Sequence, residues 1–106
     1  MTLVIFGGAG DLAHRKLLPA LYNLSVDGLL PDSTAVVGVG RRDFSDDQYR
    51  AFAHDGVQHF SRRPIDEERW AAFAKLLYFV NLDISADGAF STLGSRLDLI
   101  EHEQGR

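Results

Sequence analysis

Three glycines, Gly7, Gly8 and Gly10, fall within four residues of the stretch "VIFGGAGDLAHRKLLPALYNL". They separate a continuous apolar run from a stretch with helical spacing. The run "TLVIF" (Thr2–Phe6) is rich in β-branched residues and bounded by glycine, so it reads as a strand buried on both faces. "DLAHRKLLPALYNLSVDG" reads as a helix, with Leu17, Leu21 and Leu24 on one apolar side. Pro19 removes a backbone donor inside it and predicts a kink or a tightened first turn. Gly28 closes the helix, and Pro31 discourages its resumption. A glycine turn between a buried strand and a helix opens a βαβ unit.

The rest of the chain continues that order. "TAVVGVG" (Thr34–Gly40) is a second buried strand. Ser45 before Asp46 and Asp47 is a helix start, with acids in the positive first turn, and the helix runs to about Phe60. "RRP" interrupts it, and "DEERWAAFAKLL" resumes with Trp70, Phe73 and Leu77 on one side. "LYFVNLD" (Leu77–Asp83) is a third strand. A last helix starts at Ala86 and turns Phe90, Leu93, Leu97 and Ile100 inward. The expected class is therefore α/β, a partial doubly wound parallel sheet: a Rossmann-like βαβαβ half with a trailing helix. Its strands take the spatial order 3-2-1. No repeat, low-complexity segment or linker interrupts residues 1–106, so they read as one incomplete nucleotide-binding domain. A fourth strand would flank the first one in such a sheet. Without it the edge of Thr2–Phe6 stands unpaired, and the chain reads as a fragment of a larger protein.

Composition excludes several functions. A net charge of −4 over 106 residues argues against general nucleic-acid binding. The absence of cysteine rules out disulfides and thiolate metal sites, and no metal site is expected from the histidines. No apolar run approaches the ~20 residues of a membrane span. No signal peptide is visible, so a cytoplasmic protein is expected.

From Gly8 the turn fits G-x-G-x-x-A. Gly8 permits the tight turn, Gly10 lets a pyrophosphate approach the backbone, and Ala13 keeps the helix close to the sheet. The unpaired N–H groups of the first helical turn then face an anion. Asp11 next to a phosphate would be repulsive, so it is expected to cap the helix with its carboxylate turned away. "VGVGRRD" puts Arg41 and Arg42 at the end of the second strand, where a carboxylate would select NAD and an arginine a 2′-phosphate. NADP is therefore favoured. Two solvated arginines and a plain glycine turn that binds nothing remain the bland alternatives. Asp83 and Ile84, at the end of the third strand, line the adenine side of the pocket or merely begin a loop.

The consecutive residues "FGGAGDLAHRKLLPALYNL", followed by "DGLLP" and "VVGVGR", resemble the N-terminus of glucose-6-phosphate dehydrogenases. "LYFVNLDISADGAFSTLGSRL" resembles the bacterial members, so the similarity covers nearly the whole chain. It implies oxidation of glucose 6-phosphate to the 6-phosphogluconolactone with hydride passing to NADP, the opening step of the oxidative pentose phosphate pathway. By this resemblance Gly8, Ala9, Gly10, Asp11 and Leu12 form the coenzyme turn, Arg41 holds the 2′-phosphate, and Lys16 lies near substrate and nicotinamide. Arg15 receives no role. Ala9 replaces a common Ser or Thr, and His14 a common Lys or Arg. The family's substrate segment with its catalytic histidine has no counterpart here, so no catalytic residue is assigned. This chain is expected to bind coenzyme at most and to be inactive alone. The resemblance also implies a homo-oligomer for the intact protein, through a domain absent here.

Two alternatives stand beside it. Extended short-chain reductases and epimerases use similar turns with a Tyr-x-x-x-Lys pair. Tyr22, Tyr49 and Tyr78 are followed four residues later by Val26, Ala53 and Leu82, so none supplies that pair. A stand-alone nucleotide sensor or an interaction module is the non-enzymatic alternative.

Overall fold

The computed structural model describes residues 1–31 and 33–103. Three strands form one parallel sheet: β1 (Thr2–Phe6), β2 (Ala35–Gly40) and β3 (Leu77–Asn81), in the order β1-β2-β3. This is the expected 3-2-1 arrangement. Val4 pairs with Val37, and Val37 with Tyr78, so the three carboxyl ends lie along one edge. The helices are α1 (Leu18–Val26), α2 (Asp46–Phe60), α3 (Glu67–Ala74) and α4 (Ala89–Glu103).

Strand alternation sorts the core into two layers. Val36, Leu77 and Phe79 pack under α1, α2 and α3, with Leu18, Tyr22, Tyr49, Val57, Trp70 and Phe73. Val37, Val39, Tyr78 and Val80 pack under α4, with Leu93 and Ile100. Helices on both faces bury β2 completely up to Gly40, as its unbroken apolar sequence requires. By contrast β1 is only half-buried and pairs with β2 alone among the described strands. The far edge at β3 is covered by polar side chains of α2. Asp46 accepts from the Phe79 N–H at 2.9 Å, and Arg50 donates to the Leu77 carbonyl at 2.9 and 3.1 Å. Those bonds occupy groups that would otherwise recruit another strand. Among the described residues no helix is long and apolar enough to cross a membrane.

The start of α2 is the expected one. Ser45 Oγ accepts from the Gln48 N–H at 3.1 Å, and Gln48 Oε1 accepts from the Ser45 N–H at 2.8 Å, a reciprocal capping box. Ser45→Ala removes one half of it and is expected to cost about 1 kcal/mol, read as a lower urea midpoint with an unchanged denaturant slope.

Three local expectations are corrected. The first concerns Pro19. The helix after the glycine turn contains a π-helical turn, Ala13–Leu17, in which the Leu18 N–H reaches back five residues to the Ala13 carbonyl. This turn is widened rather than tightened. Pro19 has no N–H, and its ring needs the space of the carbonyl four residues earlier; the extra residue in the turn relieves both demands. The apolar register slips with it: Leu18 and Tyr22 are buried, while Leu17 and Leu24 are each 39% exposed. The second concerns Leu77, expected both on the helix face with Trp70 and Phe73 and at the start of the third strand: it opens β3, and only the helix-face placement fails, because that helix ends at Ala74. The third concerns the last helix, which starts at Ala89 after Gly88 rather than at Ala86. Ala89, Leu93 and Ile100 face the sheet, and Phe90, one position round from Ala89, points outward at 68% exposure.

Candidate functional site

The carboxyl edge of the sheet opens into a cleft of about 400 Å³, lined by Phe6, Gly7, Val39, Gly40, Arg41, Leu82, Asp83, Ile84 and Ser85. All three strand ends contribute, and the volume lies within the roughly 300–1,000 Å³ of small-ligand sites. Arg41, Asp83 and Ile84, three residues singled out from sequence, thus meet in one place. Phe6, Gly7 and Ser85 were not singled out. Phe6 and Gly7 are legible only as the tail of β1, and Ser85 only through its bond to Asp83.

The glycine turn is built by division of labour. The residue with positive φ is Gly7 (+71°), not Gly8 as the motif alone suggests. Its carbonyl accepts from the Gly10 N–H at 2.9 Å, closing the turn. Gly8 serves close packing. Its N–H bonds the Val39 carbonyl at 3.0 Å, and a Cβ there would stand 2.6 Å from Gly38 Cα. Gly38 in the middle of β2 is the signal for such an approach that the motif reading missed. Ala13 is buried, as its place in the motif predicts.

The Gly10 carbonyl accepts from the His14 N–H at 3.1 Å, so the helix begins at Asp11. None of the described hydrogen bonds uses the N–H groups of Ala9, Asp11 or Leu12. Helix-terminal N–H groups left without a backbone partner favour an anion. Asp11 is not a cap. Its carboxylate takes a 3.4 Å bond from Arg15 one turn on and makes no described bond to a backbone N–H. Arg15, which carried no role, is thereby accounted for: it pairs with Asp11 and lies 5.4 Å over the Phe60 ring. Leu12 is 64% exposed beside the turn.

The two arginines after β2 part company. Arg41 lines the cleft. Arg42 lies 4.7 Å over the Phe44 ring and is not among the lining residues. Asp43, the nearest carboxylate after the two arginines, accepts from Asn81 Nδ2 at 3.4 Å and so turns to the end of β3. Asp83 has two visible parts in the structure. It lines the cleft and also starts a loop, accepting from Ser85 Oγ at 2.6 Å and from the Ser85 N–H at 3.0 Å. These bonds, ahead of the nearby Arg41 charge, hold its carboxyl below the ordinary carboxylate range.

Lys16 lies elsewhere. It is exposed on the π-helical turn, and it lines a second groove of about 570 Å³ with Arg15, Asn23, Asp27, Arg62 and Arg63. Arg63 is paired with Asp27 at 3.0 Å. The basic cluster therefore faces a different groove from the one holding Arg41 and Asp83. His14, on the same turn, is held by Asp55 of α2 at 2.7 Å. Among the described residues no group of three or more histidines and carboxylates is placed to hold a metal.

Residues 4–106 match the family model described as "Glucose-6-phosphate dehydrogenase, NAD binding domain". The chain belongs to the glucose-6-phosphate dehydrogenase family. The matched domain is the family's nicotinamide-dinucleotide-binding one. Among curated relatives, the glucose-6-phosphate 1-dehydrogenase of Dickeya dadantii is 41% identical over 96 residues, covering 91% of this chain and 20% of that protein. Glucose-6-phosphate 1-dehydrogenase 2 of Mycobacterium bovis is 37% identical over 103 residues, covering 97% and 20%. The crystal structure of the Mycobacterium avium glucose-6-phosphate 1-dehydrogenase superposes with a TM-score of 0.81 at 29% identity, over 92% of this chain and 21% of that one. A glucose-6-phosphate dehydrogenase in complex with glucose-6-phosphate gives 0.80 at 26% identity, over 96% and 21%. The chain thus spans about a fifth of the length of the relatives it matches. Membership in this family favours the dehydrogenase over the reductase or epimerase alternative.

Proposed function

We propose that this chain is the coenzyme-binding part of an NADP-dependent glucose-6-phosphate 1-dehydrogenase, which oxidises D-glucose 6-phosphate to 6-phospho-D-glucono-1,5-lactone. The observation that carries the coenzyme choice is Arg41 at the end of β2, lining the cleft at the carboxyl edge, with Arg42 and Asp43 engaged elsewhere. A guanidinium there is suited to a 2′-phosphate, which it binds with parallel hydrogen bonds.

The residues present fit a dinucleotide. The first helical turn offers N–H donors to a pyrophosphate, and Gly7 and Gly10 leave the approach free of side chains. In this reading Gly8, Ala9, Gly10, Asp11 and Leu12 form the phosphate turn, Arg41 takes the 2′-phosphate, and Asp83 and Ile84 flank the adenosine end. Bound NADP supplies the hydride acceptor; the chain's own part is to hold and orient it. Lys16 is the substrate-proximal cation, supported by its motif position and its exposure in a basic groove. The general base and most of the substrate site belong to other parts of the intact protein, which we read as a cytoplasmic homo-oligomer.

The test is calorimetric titration with NADP and NAD, together with a coupled assay on glucose 6-phosphate. NADP is expected to bind at least tenfold more tightly than NAD to the intact protein. Residues 1–106 alone are expected to show no turnover. Equal affinity for the two coenzymes would refute the NADP assignment, and turnover by the short chain would refute the division of roles.

A further inference from the structure

The most deeply placed polar group near the glycine turn is the hydroxyl of Tyr49, on α2. Its residue has no solvent exposure, and its hydroxyl donates to the Gly8 carbonyl at 3.0 Å across 41 residues of sequence. Phe52 stacks on the ring at 5.9 Å and 18°, and Phe44 and Phe79 close in at 6.2 and 4.9 Å. The slot that admits the ring is made by glycine: a Cβ on Gly38 would stand 2.5 Å from both Cζ and the hydroxyl oxygen. Burial pushes the Tyr49 hydroxyl upward from its ordinary value of 10.0, so it remains a donor at any working pH.

The bond fixes more than a carbonyl. No peptide bond among the described residues is cis, and in a trans peptide the C=O and the following N–H point in opposite directions. With the Gly8 carbonyl drawn inward to Tyr49, the Ala9 N–H is turned outward on the open side of the turn. None of the described hydrogen bonds uses that N–H.

We propose that Tyr49 is a positioning residue of the coenzyme turn: by holding the Gly8 carbonyl it aims the Ala9 N–H at the coenzyme's pyrophosphate. The inference rests on the coenzyme-binding reading above and assigns a role to a residue outside the turn and outside the cleft. Ala9 supplies no side-chain hydroxyl, so its backbone donor is the contact it has to offer. A pre-aimed donor lowers the ordering cost of binding.

The experiment compares two ligands on the intact protein and on Tyr49→Phe, which keeps the ring and removes the hydroxyl. NADP carries the pyrophosphate; adenosine 2′-monophosphate carries the adenosine and the 2′-phosphate without it. The substitution is expected to weaken NADP roughly three- to tenfold, the worth of one net hydrogen bond, and to leave adenosine 2′-monophosphate unchanged. Equal weakening of both ligands would reduce Tyr49 to a packing residue and overturn the proposal, as would unchanged NADP affinity.

If Tyr49→Phe fails to fold, amide NMR of the unsubstituted protein gives the answer. The Ala9 N–H is expected to shift with NADP and not with adenosine 2′-monophosphate. An Ala9 N–H indifferent to NADP overturns the proposal. An unsubstituted protein that binds neither ligand overturns the coenzyme reading and this inference with it, an outcome distinct from either result above.

Discussion

Gly56→Ala is expected to destabilise the fold by roughly 2 kcal/mol, although the same change in an exposed helix normally stabilises it. Gly56 lies within α2, where alanine has the better helix propensity by about 1 kcal/mol. A Cβ at this position, however, would overlap the His14 carbonyl oxygen of the π-helical turn. Both colliding atoms belong to backbone or are fixed to it, so no rotamer change relieves them. The two helices must separate, loosening the contacts of Ala13 and Leu18 with Ala53 and Val57 in the core beneath. For a domain of this length about 2 kcal/mol corresponds to roughly 10 °C in Tm. The control is Gly94→Ala in α4, where nothing lies within 4 Å of the added carbon. That variant is expected to gain about 0.5–1 kcal/mol. Thermal melts of the pair should therefore move in opposite directions. A rise in Tm for both would show that α2 and the π-helical turn do not approach as closely as described. The consequence reaches the second groove, because the turn that Gly56 seats against α2 is the one that carries Lys16.

The other large effect is on coenzyme choice. Arg41→Ala is expected to weaken NADP about ten- to a hundredfold, the worth of charge-assisted hydrogen bonds to a phosphate, while changing NAD affinity by less than about twofold. The ratio of the two dissociation constants is the measured quantity, since it cancels any general loosening of the loop. Arg42→Ala should leave that ratio nearly unchanged, because its guanidinium rests on Phe44. Removing Arg41 also takes a cation from beside Asp83. Its carboxyl should rise toward its ordinary range without fully reaching it, because the two Ser85 bonds come first among the causes of its lowering. An NADP-to-NAD ratio untouched by Arg41→Ala would show that the 2′-phosphate is held elsewhere or not at all.

What could be read without coordinates was local or followed from topology. The strand–glycine–helix unit is legible because β-branched apolar runs and glycines within a few residues leave the backbone few options. Ser45 as a helix start needs only its neighbours, and the capping box closes over three residues. The strand order followed from parallel crossovers, which admit few arrangements. The meeting of Arg41, Asp83 and Ile84 followed from the same source, since parallel strands put their carboxyl ends on one edge.

What escaped was decided by contacts between distant residues or by a slip of one position. Helical periodicity identifies an apolar face but is blind to an inserted residue, so the π-helical turn moved burial from Leu17 and Leu24 to Leu18 and Tyr22. Asp11 looked like a cap from its position, but Arg15 one turn on took its carboxylate. Gly8 read as the residue that bends the chain, yet Gly7 bends it and Gly8 makes room for Gly38 and Tyr49.

The sequence by itself determined that this chain builds a parallel sheet with a glycine turn between its first strand and the following helix, because those properties reside in runs of neighbouring residues. Only the tertiary structure decided which glycine turns and which packs, which arginine enters the cleft, and that Tyr49 holds the turn from beneath. Such choices depend on which backbone passes within a few ångströms of which side chain, and residues 41 apart in the chain carry no mark of their meeting.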